Sequence, residues 1–391
     1  MTRATLAAAR RGDASAPGAP AERGAGALRV TFLAPGQVWV PSGSHRVTYE
    51  HANHLAARGH AVTVVHMRRL PPLHHTPPGV RQRLRAALTD LRRRTTPAPT
   101  WFALDPRVRV CSVPTPAGAR LPAGDAVIAT HWRLAEHLAG YPAECGAPLY
   151  LIHHDDALGG QPADRVDATW RLPVPKLGVS LWTCEMARAR GIADVVHLPN
   201  GIDQRLYRVT RPVEGRPVRV AMGFVPREIK DVETGLRALE RVRAAVPGVQ
   251  AVLFGPVPRD PRIPPWVEYR RTPSTRALVE EVYNGSAAFL CSSRVEGFGL
   301  PGAEAMACGC AVVTTDCGGV RDYAEHGVTA LLAPPGDAAG LAEHLRRVLT
   351  DPALRASLAG AGAARARTLT WERSAAILEE QVILAARGAP Q

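Results

Sequence analysis

The stretch Glu296-Gly-Phe-Gly-Leu-Pro-Gly-Ala-Glu304, continued by Ala305-Met-Ala-Cys-Gly309, decides how this chain is read. The apolar run from Ala287 to Cys291 before it predicts a buried strand, and Ser292-Ser-Arg294 leads the chain away from that strand. Gly297 and Gly299 allow a turn in which backbone approaches a ligand closely. Pro301 stands where a helix begins and Gly309 where it ends. A strand, a glycine turn and a helix aim free backbone N–H groups at one point, a geometry that suits a phosphate or diphosphate. Glu296 precedes the turn and Glu304 lies within the helix, so two carboxylates flank a phosphate-sized site. The plainer reading is an ordinary loop with Glu304 steadying the first turns of its helix.

The paired glutamates, followed by Ala311-Val-Val-Thr-Thr315 and Gly318-Gly319, resemble the donor-site signature of retaining nucleotide-sugar glycosyltransferases, family 4 of the GT-B type. The resemblance implies an α/β fold of GT-B architecture, two Rossmann-like domains whose parallel sheets face each other across a cleft. It implies Glu296 on a transferred hexose, Glu304 on the ribose hydroxyls, and the backbone of Gly297, Phe298, Gly299 and Leu300 around the sugar and phosphate. No cofactor or metal is implied; the nucleoside-diphosphate sugar is a co-substrate.

The remaining sequence divides accordingly. The chain has 391 residues, enough for two domains. Residues 1–27, rich in Ala, Arg, Gly and Pro and lacking the apolar core of a signal peptide, read as a disordered tail. From Leu28 strands and helices alternate, which predicts parallel sheets with crossover helices. Strands are expected at Leu28–Ala34, Ala61–His66, Asp125–Ala129, Pro148–Ile152, Leu177–Leu181 and Asp194–Leu198, with a helix from Gly43 to Arg58. They form a first domain, residues 28–204. It ends near Pro199-Asn-Gly-Ile-Asp203, which resembles the family's domain-closing turn. Residues 205–217 form a hinge. A second domain, 218–369, restarts with strands Val218–Met222 and Val249–Phe254 and helices Val232–Val246 and Thr275–Asn284. Helices then follow at Ala338–Leu349 and Pro352–Arg367, and the resemblance sends a last one, 370–391, back to the first domain.

Departing diphosphate needs cations. The family places an arginine directly after the glycine corresponding to Gly223, and a lysine further on. Here Phe224 takes the arginine position, while Arg227 and Lys230 lie later in the loop. Both stand at the start of a helix, where a positive charge opposes the dipole, which points to a ligand rather than to helix stability. In the first domain, the loop Pro41-Ser-Gly-Ser44 makes Gly43 the close-approach residue and Ser44 an acceptor-side candidate. Pro148-Leu-Tyr-Leu-Ile152-His-His-Asp-Asp156 sets His153, His154, Asp155 and Asp156 at the end of a strand, where α/β sites form. The resemblance puts the functional histidine at His154, with His153 one residue away. His131 and Asp155 are further acceptor-side candidates.

Composition narrows the partners. The formal net charge is +13, yet no nucleic-acid-binding signature accompanies it and the arginines are spread along the chain. No run reaches the ~18 apolar residues of a membrane span. The seven cysteines have no metal spacing and fit a reduced, cytoplasmic protein. In the segment 80–94, arginines accompany Val80, Leu84, Ala87, Leu88 and Leu91 on one helical face. Such a helix either makes peripheral contact with an anionic inner membrane face or, more simply, packs on its own domain with a solvated basic side. Around Asp167-Ala-Thr-Trp170-Arg-Leu-Pro173 and Gly178-Val-Ser-Leu-Trp182 the chain looks like rhamnosyltransferase-type members that build cell-surface polysaccharide.

The expected activity is therefore retaining transfer of a hexose-type sugar from a nucleoside-diphosphate sugar to a glycan, lipid or small-molecule hydroxyl. Alternatives are a catalytically degenerate sugar-nucleotide binder and a GT-B epimerase. A carboxylate pair also serves glycoside hydrolysis, but the adjoining phosphate turn argues against it.

Overall fold

The computed structural model describes residues 26–36, 41–68, 70, 99–116 and 121–388. The N-terminal tail up to residue 25 and the basic segment 80–94 lie outside them. Strands β1 (Arg29–Pro35), β2 (Ala61–Met67), β3 (Arg109–Val113), β4 (Ala126–Ala129), β5 (Ala147–Ile152), β6 (Lys176–Gly178) and β7 (Val195–His197) form one parallel sheet in the order 3-2-1-4-5-6-7. Strands β8 (Arg219–Gly223), β9 (Gln250–Gly255), β10 (Glu268–Arg271), β11 (Ala288–Cys291), β12 (Ala311–Thr315) and β13 (Ala330–Ala333) form a second in the order 10-9-8-11-12-13. Central strands are buried on both faces, so Val30, Phe32, Leu33 and Ala34 of β1 and all of Ala126–Ala129 are apolar without alternation. Together the sheets give the GT-B architecture.

Each sheet reverses its strand order once, between β1 and β4 and between β8 and β11. Loops leaving these neighbouring strands diverge and open a crevice at their carboxyl ends. Gly36 and His131 flank one crevice; Gly223 and Ser292 flank the other. The two crevices face each other.

Several elements differ from the sequence expectation. The strand expected over Leu177–Leu181 ends at Gly178, because Ser180 caps a helix over Leu181–Ala189: its Oγ accepts from the Thr183 N–H at 3.1 Å. The segment Thr275–Asn284 is helical, but after one turn it widens into a π-type helix over Leu278–Tyr283. Edge strands β3 and β10, Arg-Val-Cys-Ser-Val and Glu-Tyr-Arg-Arg, lack an apolar run and were not expected. Charge on an edge is a common guard against further strand pairing.

The last helix, Trp371–Gly388, lies on the Gly43–Ala57 helix of the first sheet's layer. Trp371 meets the His51 ring edge-on at 5.5 Å, and Glu379 bonds Arg58 Nη1 at 2.6 Å and His60 Nε2 at 2.9 Å. The chain thus passes between the layers twice, through 198–217 and through 368–371. The two passages touch: the Ile202 N–H donates to the Leu369 carbonyl at 2.9 Å, and Gln204 Nε2 to the Ala366 carbonyl at 2.9 Å.

Candidate active site

The facing crevices merge into a cavity of about 470 Å³. Its second-domain wall is the deciding stretch itself. Gly299 has φ 84°, the left-handed region open to glycine, and serves as N-cap of the Leu300–Ala307 helix. Phe298 is buried against Tyr323, their centroids 5.5 Å apart, so only its backbone is left for a ligand. Gly297 abuts the first domain: a Cβ there would collide with the His153 carbonyl. Leu300 faces Gly43, whose Cβ would lie 3.8 Å from Leu300 Cδ1.

Glu296 is fixed by backbone and side chain. Its N–H donates to the Cys317 carbonyl at 2.8 Å and its carbonyl accepts from the Gly319 N–H at 2.9 Å. Oε1 accepts from Lys230 Nζ at 2.7 Å and from Ser293 Oγ at 2.7 Å. Burial works against the Lys230 charge, but the Glu296 carboxylate outweighs it and holds the ammonium above its ordinary value. Lys230 closes a short turn over Glu228–Lys230, after which Asp231, at φ 38°, caps the Val232–Ala245 helix.

Arg227 is exposed on the cleft wall and makes no side-chain hydrogen bond or ion pair among the described residues. Phe224 is different. It is fully buried, edge-on to Tyr269 at 6.1 Å, with the Arg262 guanidinium 5.9 Å above its ring. A side chain at 224 therefore points into the core of the second domain rather than at the cleft, and only the Gly223 end of β8 reaches the cavity.

On the first-domain side, Ser42 precedes the Gly43–Ala57 helix without a side-chain cap, and Ser42 Oγ instead lies 3.4 Å from Ser44 Oγ. His131 caps the short Trp132–Ala135 helix by accepting from the Arg133 N–H at 3.2 Å. Burial pushes the His131 and His153 imidazoles down to about 3, so both are neutral at ordinary pH. The His153 Nε2 is closed in without a partner, whereas His154 keeps 32% of its side chain exposed, its Nε2 3.6 Å from Asp156 Oδ1. Asp155 lines the cavity, but its side chain has other partners. Its carboxylate is buried and committed to Arg190 at 2.6 Å and to the Ala157 N–H at 3.1 Å. Asp156 instead faces His154 and Arg227, and its burial raises its carboxyl above the usual range.

The sequence names Glu304 but not the residues that surround it. Glu304, only 5% exposed, accepts from Tyr283 Oη at 3.1 Å and lies 3.8 Å from Arg46 Nη1 of the first domain. Arg46 in turn donates to Tyr207 Oη at 2.7 Å. The signal for Arg46 was present: a cation in the first turn of a helix, the argument already applied to Lys230. Thr272, with φ 45° and its N–H on the Gly255 carbonyl at 2.9 Å, holds a strained backbone at the cavity rim beside Phe254. Among the described residues no His, Cys, Asp or Glu cluster has metal-holding geometry, and no helix is long and apolar enough to cross a membrane.

Residues 216–351 match the family described as glycosyl transferases group 1. Among curated relatives, glycogen synthase of Mycobacterium tuberculosis is 32% identical over 215 residues, 51% of this chain and 51% of that one. The chain spans about half the length of these curated relatives. D-inositol 3-phosphate glycosyltransferase of Nocardiopsis dassonvillei is 34% identical over 102 residues, 26% of this chain and 24% of its own. Among solved structures, sucrose-phosphate synthase from Thermosynechococcus elongatus superposes with a TM-score of 0.66 at 18% identity, covering 90% of this chain and 97% of that one. Anabaena HepE in complex with UDP-glucose gives 0.66 at 15% identity, covering 90% and 99%. The chain is thus similar to the GT-B glycosyltransferases of group 1, in its second domain by sequence and over 90% of its length by fold.

Proposed function

We propose that the protein is a retaining glycosyltransferase that moves a hexose-type sugar from a nucleoside-diphosphate sugar to a hydroxyl acceptor, a glycan, lipid or small natural product. The observation that carries it is the Lys230–Glu296 pair beside the Gly297–Leu300 turn, set at the strand-order reversal of one sheet and closed over by the other. Anabaena HepE, which shares this fold, is solved in complex with UDP-glucose, which supports a nucleotide-sugar donor.

In this reading the diphosphate lies between the N–H groups starting the Leu300–Ala307 and Gly43–Ala57 helices, with Lys230 and Arg227 stabilising its growing charge. The acceptor hydroxyl attacks the anomeric carbon from the face the diphosphate leaves. A departing phosphate oxygen takes its proton. Glu296 orients the sugar and is not itself glycosylated, and Lys230 holds its Oε1 in place. His154, the more open of the two histidines, meets the sugar from the first domain. The acceptor enters past Ser44, His131 and Asp156. No metal is needed, since cations and helix ends supply the charge. The protein works in the cytoplasm, on soluble acceptors or at the inner membrane face.

Phe224, buried where an arginine is usual, favours a second reading: a sugar-nucleotide binder without turnover. The test separates the two. Thermal shift against UDP-, GDP- and dTDP-sugars identifies the donor through ligand stabilisation. Proton NMR then follows donor consumption and the anomeric configuration of the product. Transfer with retention supports the proposal; a stabilising donor that is never consumed supports the binder; an inverted product overturns the mechanism.

A further inference from the structure

Glu304 sits in the Leu300–Ala307 helix, whose residues are buried from Gly302 to Ala307. A carboxylate there is costly unless its oxygens are satisfied. Tyr283, of the π-type helix, donates to Oε2 at 3.1 Å. The other oxygen is met from elsewhere. Arg46 Nη1, on the first domain's Gly43–Ala57 helix, lies 3.8 Å from Oε1 and donates to Tyr207 Oη at 2.7 Å. Because Tyr207 Oη spends a lone pair on Arg46, its own proton is free to turn toward Glu304. Tyr207 belongs to the passage between the domains. One carboxylate of the second domain is therefore met by its own domain through Tyr283 and by the first domain through Arg46, which is itself tied to the passage at Tyr207.

We infer that Arg46 is a positioning residue for the donor, setting Glu304 through Tyr207 so that the ribose half of the site is complete only when the two domains are closed. The inference rests on the reading of Glu304 as the ribose ligand. A carboxylate offers about four lone-pair directions, so two remain for vicinal hydroxyls when Tyr283 and a Tyr207 turned toward it both donate. Left without Arg46, Tyr207 could turn its proton elsewhere and the carboxylate could rotate toward Tyr283. A purely structural arginine would neutralise Glu304 equally well in any orientation; a positioning one must matter to the ribose hydroxyls specifically.

Calorimetry with UDP and its 2′,3′-dideoxy analogue distinguishes these roles. The parent is expected to hold UDP at least about tenfold more tightly, the worth of a hydrogen bond to a charged group. Glu304→Gln should bring that ratio close to one. Arg46→Lys, which keeps the charge but loses the planar fork, and Tyr207→Phe should shrink it likewise while leaving affinity for the dideoxy analogue within about twofold. That unchanged affinity also reports that the variants fold. A full ratio in both Arg46→Lys and Tyr207→Phe, with the ratio lost in Glu304→Gln, overturns the inference and leaves the ribose assignment intact. A parent that does not distinguish the two nucleotides, or a Glu304→Gln variant that still does, overturns the ribose assignment itself.

Discussion

Lys230 Nζ lies 2.7 Å from Glu296 Oε1, and Ser293 Oγ reaches the same oxygen at 2.7 Å, leaving Oε2 free of protein partners among the described residues. One carboxylate oxygen is thus spent on the protein and the other stays open to the cavity, where the proposed function puts the sugar. Glu296→Gln keeps the shape and removes the charge. Turnover at saturating donor should fall by about 100-fold or more, about 3 kcal/mol of barrier, with the melting temperature little changed. Single-turnover rates within tenfold of the parent would remove Glu296 from the chemistry.

On the proposed mechanism, Lys230→Ala and Arg227→Ala should each slow the reaction more than they weaken donor binding, because both would face charge that grows as the bond breaks. Arg227, free of side-chain partners, makes the cleaner test. If its alanine variant matches the parent in donor Kd and in single-turnover rate, the clamp is Lys230 and backbone alone.

Restoring an arginine at position 224 is a repair suggested by the family pattern, and the structure argues that it fails. Phe224→Arg would bury a cation in an apolar core directly beneath Arg262. The expected cost is about 3–5 kcal/mol, read as a lower urea midpoint, with no recovery of activity in the Arg227→Ala background. A stable, active double variant would show that the loop can turn this side chain to the cleft.

Gly297→Ala tests how the domains meet. Its methyl group would strike the His153 carbonyl across the cleft, yet it leaves each domain's core untouched. Thermal stability should hold while kcat/KM drops by two orders of magnitude or so, about 3 kcal/mol. Parental kinetics would mean the two loops are free to move apart at no cost.

His51 gives a pH-dependent prediction. It is fully buried, with neither ring nitrogen partnered among the described residues, and burial pushes it down to about 3. The unfolded chain protonates this residue near 6.5. Its contribution to stability is therefore complete above that pH and drains away as pH falls toward 3. His51→Leu should be more stable than the parent at pH 5 by about 2 kcal/mol, and the gap should narrow above pH 7. Parallel melting curves from pH 5 to 8 would show that the ring finds a partner in solution.

Reading the sequence succeeds where burial writes itself into composition. The central strands β1, β4, β8 and β11 are apolar because both of their faces are covered, and the glycine turn after β11 follows from backbone conformation. It fails where a residue's role is set by distant partners. Asp155 and Asp156 are adjacent and chemically alike, and only Arg190 decides which of them turns inward. The burial of Phe224 depends on Tyr269 and Arg262, which belong to β10 and the loop before it. Arg46 and Glu304 lie in different domains, so no local spacing could pair them. Edge strands stay hidden for the opposite reason: β10 is polar because it has little to bury.

The paired passages joined by Ile202 and Leu369 restrict how the molecule can move. A single linker would let one domain swivel in any direction, but two adjacent linkers, bonded to each other, suppress torsion and leave essentially one bending axis. Any opening or closing would then follow a single coordinate, along which Gly297 would near His153 and Arg46 would near Glu304 together. A solution seen half closed would carry neither contact, and a nucleotide gripped by the second domain alone would gain its remaining affinity in one step rather than by degrees.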